Sequence, residues 1–135
     1  MIVMKLNPEP FEKIKSHKKI WEVRLNDDKR KGIHIGDRIL FKKQPELLEG
    51  VLAKVVDIKH FNSFEEMSEV LSLISVGFES GATKQDCVDC YHKYYTPAEE
   101  QKFGVVAFKL EVVWKKVKRI ILPLNFFVIT PRVRS

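Results

Sequence analysis

Cysteine is scarce in this 135-residue chain: Cys87 and Cys90 are the only two, three positions apart. A secreted disulfide framework needs more of them. A structural zinc needs four ligands, and there is no second Cys pair; His92 stands nearby without completing a recognised ligand spacing. Two cysteines on one face of a helix read as core residues, so no metal and no other cofactor is expected. Long apolar runs are missing too. None approaches the roughly 20 residues that span a bilayer. The opening Met1-Ile-Val-Met-Lys-Leu6 is too short for a signal-peptide core and lacks a basic start. The expectation is a cytoplasmic protein with no membrane partner. Internal repeats and low-complexity segments are also absent, which points to one globular domain.

Acid is missing from one stretch only. Residues 114–135 carry Lys115, Lys116, Lys118, Arg119, Arg132 and Arg134 and no Asp or Glu, so they account for the whole formal charge of +6. Residues 1–113 are neutral overall, which excludes a simple whole-domain electrostatic grip on nucleic acid. A second, local basic region spans residues 13–31, where eight bases face Glu22, Asp27 and Asp28.

The patterning predicts strands at both ends with helices between. Residues 2–6 read as a strand. Asn7 and Pro8 open a short helix whose apolar face carries Phe11 and Ile14. Residues 20–25 alternate, with Trp21, Val23 and Leu25 on one side and Ile20, Glu22 and Arg24 on the other. A charged loop is expected over 26–31, then an Ile35-Gly36-Asp37 turn into a strand over 38–42. Residues 50–59 read as a long buried strand. Ser63 with Glu66 forms a capping box for a helix carrying Phe64, Met67, Val70, Leu71 and Ile74, closed at Gly77. Thr83 with Asp86 opens another, with Cys87, Cys90, Tyr91 and Tyr94 on one face, ended by Pro97. Residues 104–113 form a β-branched strand, and 115–122 a further one. This is an α+β pattern, or a small barrel with about three helices.

The stretch from Ser16 to Arg24 holds the densest candidate chemistry. At strand spacing Glu22 and Arg24 project from one face about 7 Å apart, and Lys19 stands at the strand's entrance. Such a group binds a phosphate or carbonyl, or holds a water near a base; it is equally an ion pair on a solvated strand face. Lys18-Lys19-Ile20-Trp21-Glu22-Val23-Arg24 followed by Ile35-Gly36-Asp37 resembles the ASCH family, with its Gly-x-Lys-x-x-Glu-x-Arg motif and Gly-Asp turn. His17 stands where that motif has glycine. Pro10 to Ile14, Phe61 to Glu66, Tyr94-Tyr95 and Val105 to Leu110 fit as well, so the resemblance covers about residues 2–112.

The resemblance implies a PUA-like small mixed β-barrel whose charged cleft binds RNA or a nucleotide-like molecule. It divides the chain into an ASCH domain over 1–113 and a basic C-terminal strand and extension over 114–135. The cleft residues it suggests are Lys19, Glu22 and Arg24. Tyr94 and Tyr95 read either as stacking partners for bases or as a pair split between core and surface. A small branch of similar proteins removes the acetyl group of 4-acetylcytidine with a lysine, a threonine and a glutamate. Lys19 matches that lysine and Glu79 the glutamate, while Glu22 replaces the threonine. The same cleft is therefore also readable as a nucleoside amidohydrolase or metal-independent ribonuclease, with Lys19, Glu22 and Glu79 as its catalytic residues. Lys115, Lys116, Lys118 and Arg119 read either as a phosphate-contacting arm or as lysines that protect a sheet edge. Phe126 and Phe127 offer a third reading, a protein-interaction surface. Ser16, His34 and His60 have no partner that suggests catalysis.

Overall fold

The computed structural model describes residues 1–116. Ten elements follow in order: β1 (Ile2–Leu6), α1 (Pro8–Lys15), β2 (Trp21–Leu25), α2 (Asp28–Lys31), β3 (Arg38–Lys43), β4 (Gly50–Phe61), α3 (Phe64–Val70), α4 (Lys84–Tyr91), α5 (Pro97–Phe103) and β5 (Val105–Lys116). The strands form one sheet in the order β1-β3-β4-β5-β2. Only β1 and β3 run parallel. The two 12-residue strands β4 and β5 carry register shifts at Leu52/Ala53 and Val55/Asp57. Such irregularities bend a strand and raise its twist. The sheet curls into a half-barrel, and β1 and β2 are its two edge strands among the described residues.

Both faces of β5 are buried, which explains its nearly unbroken apolar run Val105-Val-Ala-Phe. Val106, Phe108 and Leu110 join Phe11, Ile14, Phe41 and Val55 inside the curl, under α1. Val105 and Ala107 join Trp21, Val23, Leu25, Phe64, Met67 and Cys87 on the outer face, beneath α3 and α4. The fully buried phenylalanines 11, 41, 64 and 108 each contribute about 1.5–3 kcal/mol by leaving water. The register pairs Glu22 with Phe108 and Arg24 with Val106. Opposed residues share a face, so the two charges project into the curl while Trp21, Val23 and Leu25 project away from it.

The helices depart from expectation in three places. The 26–31 stretch is not a loop throughout, because Asp27 starts the single turn of α2. The helix opened by Ser63 stops at Val70 and leaves Val70 and Ile74 exposed. The chain turns early so that the Ser75 carbonyl can accept the Ile20 and Trp21 N–H groups, at 2.7 and 3.0 Å, and Val76 can enter the core. Pro97 does not end a helix but begins one. It is the first residue of α5, behind a Thr96/Glu99 capping box, and α4 has already closed at Tyr91. Five helices decorate the described sheet, roughly the number expected. Lys115 and Lys116 lengthen β5 instead of opening a new strand; the rest of the expected 115–122 strand lies outside the described residues. No described helix is long and apolar enough to cross a membrane.

Candidate ligand cleft

A cavity of about 570 Å³ opens along the seam between the two edge strands, bounded by α1, the 76–79 turn and α4. Its floor is Glu22, 2% exposed. Strand β2 aims this carboxylate inward, and two cations hold it there. Arg24 Nε donates to Glu22 Oε2 at 2.5 Å. Lys19 Nζ lies 3.0 Å from Oε1, close enough for an ion pair. That approach is not a directed hydrogen bond, and Oε1 is buried with no hydrogen-bonding partner among the described residues. Burial alone would raise the Glu22 carboxyl pKa. The Lys19 and Arg24 charges outweigh it and hold the group below its ordinary range. The same carboxylate keeps Arg24 charged against the cost of its own burial.

Lys19 is placed by the end of α1. The chain leaves the helix through His17 at φ +67, and the Lys18 and Lys19 N–H groups both donate to the Lys13 carbonyl, at 2.9 and 3.0 Å. That left-handed position is where glycine fits without strain, which accounts for the glycine of the motif; histidine is among the residues that tolerate it. The Lys19 stem then lies over Gly77, where an added Cβ would come within 3.0 Å of Lys19 Cδ. Gly77 also holds φ +109. Lys13 fastens this turn to α1 by donating to the Gly77 carbonyl at 2.7 Å and to Glu79 Oε2 at 2.5 Å.

Of the residues singled out by sequence, Lys19, Glu22 and Arg24 form one contiguous ionic group, and Glu79, Tyr94 and Tyr95 line the same cavity. Glu79 stands at the rim, with its side chain 77% exposed and paired to Lys13 rather than to Lys19. Tyr95 stacks on Phe64 with ring centroids 5.7 Å apart, half-buried in the core, while Tyr94 is 65% exposed. Lys115 sits at the far end of β5 opposite Val51, away from the cleft; Lys116 pairs with Gly50 there. Lys118, Arg119, Phe126 and Phe127 lie outside the described residues. Sequence reasoning missed Lys5, Lys13, Phe78 and Tyr91 as cleft residues. The i, i+3, i+4 spacing of Tyr91, Tyr94 and Tyr95 was the available signal for the last of these. Burial first, and then the Glu22 charge, push the Tyr91 phenol well up, so it stays a hydrogen-bond donor.

The ionised cleft groups are four cations, Lys5, Lys13, Lys19 and Arg24, against three carboxylates, Glu9, Glu22 and Glu79. Such near balance suits a ligand with both donors and acceptors and at most modest negative charge. The sequence matches the ASCH domain model over residues 4–113. The chain belongs to the ASCH domain family. The crystal structure of the hypothetical protein PH0355 is 32% identical, superposes with a TM-score of 0.71 and is matched over 82% of this chain and 97% of its own. The solution structure of PF0455 from Pyrococcus furiosus is 31% identical, with a TM-score of 0.65 over 83% and 96% of the two chains. The crystal structure of ASCH from Zymomonas mobilis shares the fold at 20% identity and a TM-score of 0.57, over 81% of this chain and 65% of that one. No curated protein matches the sequence. The half-barrel with inserted helices is the mixed α+β architecture that the ASCH resemblance implies.

Both cysteines are free and lie on α4, Cys90 beside the cleft and Cys87 behind it in the core. Burial pushes the Cys87 thiol up to about 12, with the neighbouring Cys90 adding to the shift. A thiol-reactive chromophore added to the native ASCH protein is expected to titrate Cys90 alone, with Cys87 reacting only after denaturation. Fast labelling of both in the folded state would mean that α4 opens readily.

Proposed function

We propose that the cleft binds a nucleotide-like ligand, either a free nucleoside or nucleotide or one unit of an RNA chain. The observation that carries this reading is Glu22 Oε1, a buried acceptor at the floor of the cleft that is ion-paired to Lys19 but receives no directed hydrogen bond among the described residues. An unsatisfied buried carboxylate oxygen is costly, and a ligand donor relieves it. A base amine or a ribose hydroxyl supplies that donor. Only Nε of Arg24 is hydrogen-bonded among the described residues, so both Nη groups remain to meet a base carbonyl or ring nitrogen. Lys19 offers its charge to a phosphate or carbonyl oxygen, and exposed Tyr94 offers a ring for stacking.

Calorimetric titration with nucleosides and nucleoside 5′-monophosphates at low salt tests this. Saturable one-site binding is expected, weakened about tenfold by Tyr94→Ala, the scale of one lost stacking partner. No saturable heat with any of them up to millimolar concentration would remove the reading.

The rival on the same residues is a hydrolase. It calls for a carboxylate whose pKa is poised near neutrality to act as base. Glu22 is held low by two cations, and the Lys13 hydrogen bond holds Glu79 low as well. Those environments support binding without turnover. With 4-acetylcytidine the expected outcome is binding without acetate release; release that disappears in Lys19→Ala would make the protein an amidohydrolase instead.

A further inference from the structure

Helices α3 to α5 cover the outer face of the sheet over β2 and the adjoining ends of β4 and β5. Over β1, β3 and the other ends of β4 and β5 no described helix covers that face. The register sets Val3 beside Leu40, Leu40 beside Leu52, and Leu52 beside Trp114. These four form an apolar stripe across four strands, about 14 Å long. Its ends are open, with Val3 50% and Trp114 49% exposed. One step to one side, Lys5 pairs with Lys42. One step to the other, Arg38 pairs with Lys54, and Lys54 with Glu111. None of these four cations has an ion-pair partner among the described residues, whereas Lys13, Lys15, Lys19, Lys43 and Lys84 all do.

We infer that this face is a second binding surface, for single-stranded nucleic acid, with bases laid along Val3, Leu40, Leu52 and Trp114 and phosphates met by Lys5, Lys42, Arg38 and Lys54. Charge complementarity selects this occupant. An apolar stripe with an exposed aromatic, flanked on both sides by unpaired cations, matches a strand whose bases are flat and apolar and whose linkages are anionic. The sequence beyond Lys116 adds four basic residues, Lys118, Arg119, Arg132 and Arg134, and no acid as far as Ser135, so four of the six excess charges follow this end of the sheet. Lys5 belongs to both surfaces, since it also lines the cleft. A strand with one unit in the cleft therefore continues onto the face; in that respect the inference rests on the nucleotide reading of the cleft.

The test uses the full chain and two 12-nucleotide single strands of one sequence, RNA and DNA, followed by tryptophan fluorescence across a salt series. Trp21 is buried and Trp114 is not, so stacking is expected to quench Trp114 emission. Trp114→Ala is expected to weaken oligonucleotide binding about tenfold and abolish the quench, while Trp114→Phe retains most of the affinity. Arg38→Glu with Lys54→Glu is expected to weaken binding further and to lower the salt slope by about two. Mononucleotide affinity should stay unchanged in every variant, which also certifies that each is folded. Tighter binding of either strand, or equal binding of both, supports the surface, and a difference between them tells which polymer it takes. Oligonucleotides that bind no tighter than mononucleotides would overturn it and leave the cleft reading standing. Absence of binding by both would remove both. Trp114 emission shielded from acrylamide in the free protein would show the stripe covered by other residues of the chain, and would also overturn it.

Discussion

Arg24→Met is expected to lower the free energy of unfolding by about 3 kcal/mol at neutral pH. The substitution removes the cation that donates to Glu22 Oε2 and leaves a carboxylate that is 2% exposed with only the undirected Lys19 contact. Breaking a buried pair from one side typically costs 3–5 kcal/mol, because the remaining charge is stranded. The lower end applies here, since the Arg24 side chain keeps 16% of its exposure and water can partly replace it. Urea denaturation measures the loss as a fall in midpoint at constant slope. The double variant Glu22→Gln with Arg24→Met is expected to recover part of it, because no unpaired anion remains and only the Lys19 cation is left without its carboxylate. A cost below about 1 kcal/mol for the single variant would place this group with exposed ion pairs. The same carboxylate sets an acid limb. Its folded pKa lies below the ordinary value of 4.5. As pH falls the unfolded chain therefore takes up this proton first. The contribution is complete above about pH 4.5 and is lost as pH drops through the folded value, so Glu22→Gln should flatten the acid side of the stability curve.

The period-2 pattern of residues 20–25 already separated Glu22 and Arg24 from Trp21, Val23 and Leu25, and the sheet register upheld that separation. Local pattern could not show that the charged side is the inside of the curl. That follows from β5 lying between β2 and β4, a long-range pairing that no window of sequence contains. The exits of the helices were obscure for a similar reason. Val70 and Ile74 continue a helical period, but the Ser75 carbonyl is used by the N–H groups of Ile20 and Trp21, and that tertiary demand overrides the local preference. The start of α5 is a different case: Thr96, Pro97 and Glu99 spell out a capping box, and reading Pro97 as a terminator concealed it. In the cleft, the ionic group was visible as spacing. Lys13 was not, because its role comes from reaching Gly77 and Glu79, more than sixty residues away.

Phe64→Ala is expected to cost about 3–5 kcal/mol and to weaken nucleotide binding as well, although Phe64 does not line the cleft. Its ring is fully buried between two tyrosines, stacked on Tyr91 at 4.4 Å and 3° and on Tyr95 at 5.7 Å and 13°. Truncation loses the transfer energy of the ring and opens a cavity that the sheet beneath cannot close. It also forfeits two aromatic contacts, each contributing about 0.5–1.5 kcal/mol beyond the buried area. Tyr91 and Tyr95 form part of the cleft wall, and Phe64 is what packs behind both. Freed of that backing, their rings gain rotamers that a ligand must freeze again on binding. Phe64→Leu fills most of the space and should cost clearly less on both counts. Tyr94→Ala provides the contrast: an exposed ring whose loss lowers affinity without lowering the denaturation midpoint. Midpoints and calorimetric affinities of the three variants, compared at a temperature where all remain folded, separate the two kinds of effect. Unchanged affinity in folded Phe64→Ala would show that the tyrosine wall keeps its shape without this ring.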